Sequence, residues 1–200
     1  LILNPSPDGT KMYAIGGTTG PPRLFDLSAP DDPVPASGYS SGAAPNPGAF
    51  NSSGTKYFSV NLNTNVVNII DTGTNAVTGA ISLSHTLISA WRGVNGSIYA
   101  TGSGNKISII NPQTDSVAKE VPLSCGATDA IIPSITFSQD AAYPYYYLFC
   151  PSNTNTTSKI FKLRLDDDTL VNTFTINNYL ATSGAMNADN SKLYLTSSAG

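Results

Sequence analysis

Apolar residues recur at alternate positions in several short runs, as in Val77 and Ile81 around Gly79, or Val117, Val121 and Leu123 around Lys119. No segment keeps a 3.6-residue period. Alternation of this kind turns one face of a strand toward a core and the other away from it. Between the alternating runs lie clusters of Asp, Asn, Gly, Ser, Thr and Pro, whose side chains cap their own backbone or tolerate the dihedrals of tight turns. The pattern predicts an all-β chain of antiparallel strands joined by short turns, with almost no helix.

The runs also repeat. Asp8-Gly9-Thr10-Lys11-Met12-Tyr13-Ala14-Ile15 stands beside Ser53-Gly54-Thr55-Lys56-Tyr57-Phe58-Ser59-Val60, Asn95-Gly96-Ser97-Ile98-Tyr99-Ala100 and Asp189-Asn190-Ser191-Lys192-Leu193-Tyr194-Leu195. A looser copy runs from Gln139 into Tyr145-Tyr146-Tyr147-Leu148-Phe149. Each is a polar turn feeding a strand that carries an aromatic residue. The turns start at 8, 53, 95, 139 and 189, a spacing close to the roughly 40 to 50 residues of one propeller blade. A second unit follows each hairpin. Val66-Val67-Asn68-Ile69-Ile70-Asp71-Thr72-Gly73-Thr74-Asn75-Ala76-Val77 matches Lys106-Ile107-Ser108-Ile109-Ile110-Asn111-Pro112-Gln113-Thr114-Asp115-Ser116-Val117, and Lys159 to Val171 more weakly. The first copy shrinks to Arg23-Leu24-Phe25-Asp26-Leu27-Ser28, followed by a Pro-rich stretch, Pro30 to Pro35.

Each repeat holds four strands, illustrated by 87–93, 97–102, 106–111 and 116–123 in the third. Together the two units resemble the YVTN family of β-propeller repeats: Ser6-Pro7-Asp8-Gly9 with Tyr13 matches the first half of that pattern, and Ile70-Asp71-Thr72-Gly73-Thr74-Asn75-Ala76-Val77 the second. The resemblance implies a β-propeller with about 4.5 four-stranded blades: 1–38, 39–84, 85–124, 125–178 and an incomplete blade 179–200. Such a set leaves a bare sheet edge. The expectation is a piece of a six- to eight-bladed ring, or a ring completed by strands of another copy.

Charged residues make up 12% of the chain, about half of the ~25% usual for soluble domains, and Ser, Thr and Asn supply the remaining polarity. That surface suits a secreted or cell-surface protein. With ten basic residues and a net charge of -3 there is no basic stripe to neutralise phosphates, so nucleic acid is not expected as a partner. No apolar run approaches the roughly 18 residues of a membrane span, and no basic-then-apolar leader opens the sequence. A secretion signal is therefore expected to have been removed or to lie outside these residues.

Candidate chemistry is sparse. His85, the single histidine, lacks the additional His or Cys ligands that a metal site needs and reads as a loop or blade-interface residue. Glu120, the single glutamate, falls in an outer strand. Asp166-Asp167-Asp168 has the carboxylates for calcium but occupies a turn where sister repeats have Asp71-Thr72-Gly73 and Asn111-Pro112-Gln113, and Asp31-Asp32 sits in the Pro-rich stretch. No catalytic, cofactor-binding or metal-binding set is assigned. Cys125 and Cys150 bracket the inner hairpin of the fourth blade and, in an oxidising compartment, either pair or remain two buried thiols. Sequons fall at Asn51, Asn95 and Asn155, each in an expected exposed loop or turn, although a chain this rich in Asn, Ser and Thr generates sequons by chance.

Tyr143, Tyr145 and Tyr147 form a possible contact surface, while Tyr146 aligns with the packing aromatics Tyr13, Tyr99 and Tyr194. Trp91, the only tryptophan, is followed by Arg92, which argues against WD repeats. Two function classes remain. One is a non-enzymatic extracellular scaffold that presents loops for protein or carbohydrate contacts, or builds a surface layer or filament by self-assembly. The other is a lactonase-like or quinoprotein-like enzyme with its active residues in a central channel.

Overall fold

A computed structural model describes residues 2–16, 20–28, 32–39, 45–61, 64–125, 132, 134–138, 144–152 and 157–197. These residues form five antiparallel sheets and no helix. The first contains β1 (Ile2–Pro5), β2 (Lys11–Ile15), β3 (Arg23–Asp26) and β4 (Val34–Pro35). The second contains β5 (Pro45–Phe50), β6 (Lys56–Asn61), β7 (Val66–Asp71) and β8 (Ala76–Ser82). The third contains β9 (Leu87–Arg92), β10 (Ile98–Gly102), β11 (Lys106–Asn111) and β12 (Ser116–Pro122). The fourth contains β13 (Ile135–Phe137), β14 (Tyr145–Pro151), β15 (Thr157–Arg164) and β16 (Leu170–Asn177). The fifth holds β17 (Ala181–Met186) and β18 (Leu193–Ser197). Neighbours in sequence are neighbours in each sheet. Among the described residues no helix is long and apolar enough to cross a membrane.

Two backbone positions recur and explain why the turns fall where they do. Gly9, Gly54 and Gly96 follow the first strand of their sheets with φ of 69°, 72° and 83°, and Asn190 takes the same place in the fifth sheet with φ 56°. Asn75, Asp115 and Asp168, at φ 52°, 53° and 58°, precede the outer strand of sheets two, three and four. Gly adopts this left-handed region without a Cβ clash, and Asn and Asp tolerate it better than other side chains.

Carboxylates and amides finish the turns. Asp71 Oδ1 accepts the Gly73 and Thr74 N–H groups, Asp189 Oδ1 accepts that of Ser191, and Asp8 Oδ1 accepts that of Thr10. These bonds stabilise the charged carboxylates. The Asp8 carboxyl is accordingly lowered to about 2, with the Ser6 hydroxyl as the largest cause and Thr10 next.

The chain divides into two compact units. One comprises Leu1–Arg92, Gly96–Ala100 and Ser108–Lys119, the other Gly93–Asn95, Thr101–Ile107 and Glu120–Gly200. Within the first unit, β1 lies against β5 and β5 against β9, so the first strands of successive sheets are neighbours. Tyr13 of the first sheet stacks on Tyr57 of the second with ring centroids 4.3 Å apart, and Phe50 meets Tyr57 edge-on at 5.0 Å. Ile15, Ala36 and Ile70 close that cluster. Phe58, Val67, Ile69, Leu87, Ile98 and Ile110 fill a second cluster between the second and third sheets. Within the second unit, β13 and β14 lie against β17, and Phe149, Ile160 and Ala181 are the buried centre of their packing.

Two lysines tie outer turns to neighbouring sheets by the same device. Lys11 Nζ donates to the Thr72 carbonyl at 2.8 Å, and Lys56 Nζ donates to the Pro112 carbonyl at 3.3 Å while pairing with Asp115 at 2.6 Å.

Candidate functional site

A cavity of about 160 Å³ opens in the first unit at the C-terminal ends of β1, β5 and β9. Asn4 and Pro5 contribute one side, Gly48 and Phe50 the second, and Trp91 and Arg92 the third. None of the described residues lining it is an acid or a histidine. Trp91 is half-buried, and its indole N–H donates to Ser89 Oγ at 2.7 Å. Arg92 is exposed, and its guanidinium donates one long bond, 3.4 Å, to the Asn51 carbonyl. The cavity thus offers an aromatic face, a cation and an amide.

The wall behind these groups is rigid for identifiable reasons. Tyr57 has no solvent exposure, and its hydroxyl oxygen accepts the Asn4 Nδ2–H at 2.9 Å and the Gly48 N–H at 3.1 Å. Burial pushes this phenol well above its usual range, so it stays a neutral fixed acceptor for those donors. β5 is irregular between Asn46 and Ala49. At Gly48 a Cβ would collide with the Phe58 carbonyl oxygen and approach the Tyr57 ring to 2.8 Å. Only glycine lets the strand come this close. Asn46 Nδ2 reaches the Ile88 carbonyl at 2.6 Å, linking β5 to β9.

The residues singled out from sequence lie elsewhere. Cys125 and Cys150 are joined in a disulfide with Cα atoms 5.8 Å apart, and both are buried. His85 is buried at 4% exposure. Glu120 is on β12 and pairs with Lys106 at 3.1 Å.

The acidic run is engaged within its own turn. Arg164 holds Asp166 through two bonds of 3.0 and 2.6 Å, Asp167 Oδ1 accepts the Thr169 N–H and hydroxyl, and Asp168 Oδ1 accepts the Tyr146 hydroxyl at 3.1 Å. Among the described residues no three His, Cys, Asp or Glu side chains are grouped to hold a metal ion.

Asn51 departs from the exposed position expected of it. It is 9% exposed, its Nδ2 donates to Thr55 Oγ1, and its Oδ1 accepts the Lys56 N–H, so the amide is a structural cap of its turn. Asn95 is exposed, with Nδ2 3.3 Å from the Leu165 carbonyl. Asn155, Asp31 and Tyr143 lie outside the described residues. Tyr145 carries Lys162 Nζ over its ring at 3.8 Å, and Tyr147 packs against the Phe149 cluster; Tyr146 is fully buried. The cavity itself was not read from sequence. Its residues come from three repeats, and Asn4, Gly48 and Arg92 share no motif.

The solved structures settle the architecture. Over 98% of its length the chain superposes on hydrazine synthase from Kuenenia stuttgartiensis with a TM-score of 0.79 at 14% identity, spanning 54% of that chain. The chain is a β-propeller. About 4.5 blades are present, one for each four-stranded sheet and a half for β17–β18. A second propeller of similar build is the dihydro-heme d1 dehydrogenase NirN in complex with DHE, with a TM-score of 0.62 at 13% identity over 88% of this chain and 37% of that one. The chain therefore spans about half, or less, of the length of these two structures. No protein-family model and no curated protein matches it in sequence. In propeller terms, the cavity lies at one end of the innermost strands of blades one to three.

Proposed function

We propose that this chain is part of a non-enzymatic extracellular propeller of the YVTN-like kind, in a ring of six to eight blades, and that it recognises a glycan or protein group at the ends of its inner strands. The observation that carries this reading is the cavity formed by Asn4, Trp91 and Arg92, which joins an aromatic face to a cation and an amide, with no acid or imidazole among the described residues that line it. Its volume of about 160 Å³ is below the roughly 300–1,000 Å³ of sites that enclose a whole small molecule. A protruding group such as a terminal sugar or a side-chain carboxylate fits that size better than a free substrate. Low charge and a Ser/Thr/Asn-rich composition support placement outside the cell, and the Cys125–Cys150 bond agrees with an oxidising compartment.

The test is a titration with neutral and uronic-acid-terminated oligosaccharides, read by the fluorescence of Trp91, the only tryptophan. Saturable quenching that is lost in Arg92→Ala, with the oligosaccharide recovered unchanged by mass spectrometry, supports recognition. Absence of quenching across the panel together with turnover of any member refutes it. One observation favours a second reading, a propeller enzyme with channel residues on further blades: both structural neighbours named above are enzymes.

A further inference from the structure

We propose that the cavity at the inner-strand ends is selective for a terminal uronic acid, with the carboxylate on Arg92, a neighbouring hydroxyl on Asn4 Oδ1 and the C–H face of the ring against Trp91. The assignment rests on recognition at this cavity and adds which chemical group is recognised. Charge is its first ground. Lys56 is paired with Asp115, Lys106 with Glu120 and Arg164 with Asp166. Arg92 pairs with no carboxylate among the described residues, and its guanidinium donates one long bond, 3.4 Å, to the Asn51 carbonyl. A planar guanidinium left in that state takes a carboxylate through two parallel N–H bonds.

The other two groups are held in place before any ligand arrives. Asn4 commits its Nδ2 to the buried Tyr57 oxygen at 2.9 Å. Its Oδ1, a pure acceptor, has no hydrogen bond among the described residues, and the residue borders the cavity. Trp91 spends its indole N–H on Ser89 Oγ at 2.7 Å, and Ser89 is buried, so the ring offers the cavity apolar surface rather than its polar edge. Groups fixed in advance lose little entropy on binding. A ligand that satisfies all three carries an anion, a hydroxyl donor and an apolar face on one small unit. A neutral sugar lacks the anion, and an aspartate or glutamate side chain lacks the hydroxyl. Size agrees as well. The cavity of about 160 Å³ has room for about five waters at ~30 Å³ each, which suits a carboxylate and the hydroxylated carbon next to it while the rest of the glycan stays outside.

The probe is methyl galacturonoside, titrated into the intact 200-residue chain and read by quenching of Trp91. Its methyl ester, methyl galactoside and acetyl-glutamate amide are titrated in parallel. The expected result is saturable binding of the acid, tighter by roughly tenfold or more than that of each of the others. In Arg92→Gln, a change at an exposed position, the preference for the acid over the ester should disappear. Asn4→Ala should weaken the acid and leave acetyl-glutamate amide unchanged, with an unaltered Trp91 emission spectrum as the check that the variant is folded. The ester or the galactoside binding as tightly as the acid, or acetyl-glutamate amide binding more tightly, overturns the uronate assignment and leaves recognition at the cavity standing. An acid-over-ester preference that survives Arg92→Gln also overturns it, because the carboxylate then sits elsewhere. Quenching by none of these ligands removes both the assignment and the recognition reading beneath it.

Discussion

Replacing Tyr57 with Phe removes one oxygen from the wall of the candidate cavity and should cost about 2 kcal/mol, a figure that follows from what that oxygen accepts. The ring keeps its volume, so the stack on Tyr13 and the edge contact with Phe50 survive. Two donors lose their acceptor, the buried Gly48 N–H and the half-buried Asn4 Nδ2–H. A buried donor left unmade costs about 1–3 kcal/mol, and one that water can reach costs much less. Gly48 accounts for most of the loss, since the Asn4 amide borders the cavity. In a chain of this size the change corresponds to a fall of roughly 4–8 °C in melting temperature. Urea unfolding read by Trp91, which lies in the same unit, measures it directly. Tyr13→Phe is the internal control: it strips one bond, to Asn75 Oδ1, and should cost less. A loss below about 0.5 kcal/mol for Tyr57→Phe with an unchanged m-value, or a larger loss for Tyr13→Phe, refutes the assignment of Tyr57 as the buttress of the site.

Gly48→Ala should destabilise by about 1–3 kcal/mol through overpacking, because the colliding partner is backbone. Gly184→Ala, whose Cβ would meet Phe149 and the Tyr194 carbonyl at 2.8 Å, should do the same; denaturant midpoints check both. Reduction of Cys125–Cys150, which closes a sequence separation of 25, should lower stability by roughly 3 kcal/mol on a loop-entropy basis, measured as the shift in unfolding midpoint with reductant. Asp8, Asp71, Asp167 and Asp189 have carboxyl pKa values lowered by hydrogen bonds within their turns, and Asp166 is lowered by its bond to the Arg164 guanidinium. Their contribution is complete above the unfolded carboxyl value of about 4 and is lost as pH falls through the folded values. Stability should therefore decline from about pH 4 toward pH 2, and Asp8→Asn should flatten part of that decline in an acid titration followed by circular dichroism.

The sequence announces whatever one residue's backbone must do. Gly9, Gly54, Gly96 and Asn190, and again Asn75, Asp115 and Asp168, mark left-handed positions that few residue types fill, so the repeat and its strand count are legible without coordinates. Gly48 shows the limit. Asn46-Pro47-Gly48 has the composition of a turn, yet it lies within β5, and its need for glycine arises from Phe58 and Tyr57 approaching across the sheet. Asn51 reads as an exposed sequon because the motif is local, while its burial comes from capping its own turn. The Tyr13 hydroxyl and Asn75 amide meet across 62 residues, a distance over which alternation carries no information.

The internal repeats also separate residues that hold neighbouring blades together from residues exposed at the ends of the first strands. Lys11 and Lys56 stand at equivalent positions, and both anchor the outer turn of the following blade, at Thr72 in one case and at Pro112 and Asp115 in the other. The residues that end the inner strands at the cavity follow no such rule: Pro5, Phe50 and Arg92 occupy the equivalent place in blades one, two and three. A position filled in turn by an imino acid, an aromatic and a cation is under no common packing demand. Arg92 makes a single 3.4 Å bond and is exposed, so its removal should change stability by no more than about 0.5 kcal/mol. Fold energy therefore resides in the turns and in the faces between blades, to which Phe50 belongs, whereas an exposed strand end such as Arg92 can change without a structural penalty. A loss of binding in Arg92→Ala at unchanged stability is the outcome that this division of labour requires, and a loss of stability of the same order as that of Tyr57→Phe would contradict it.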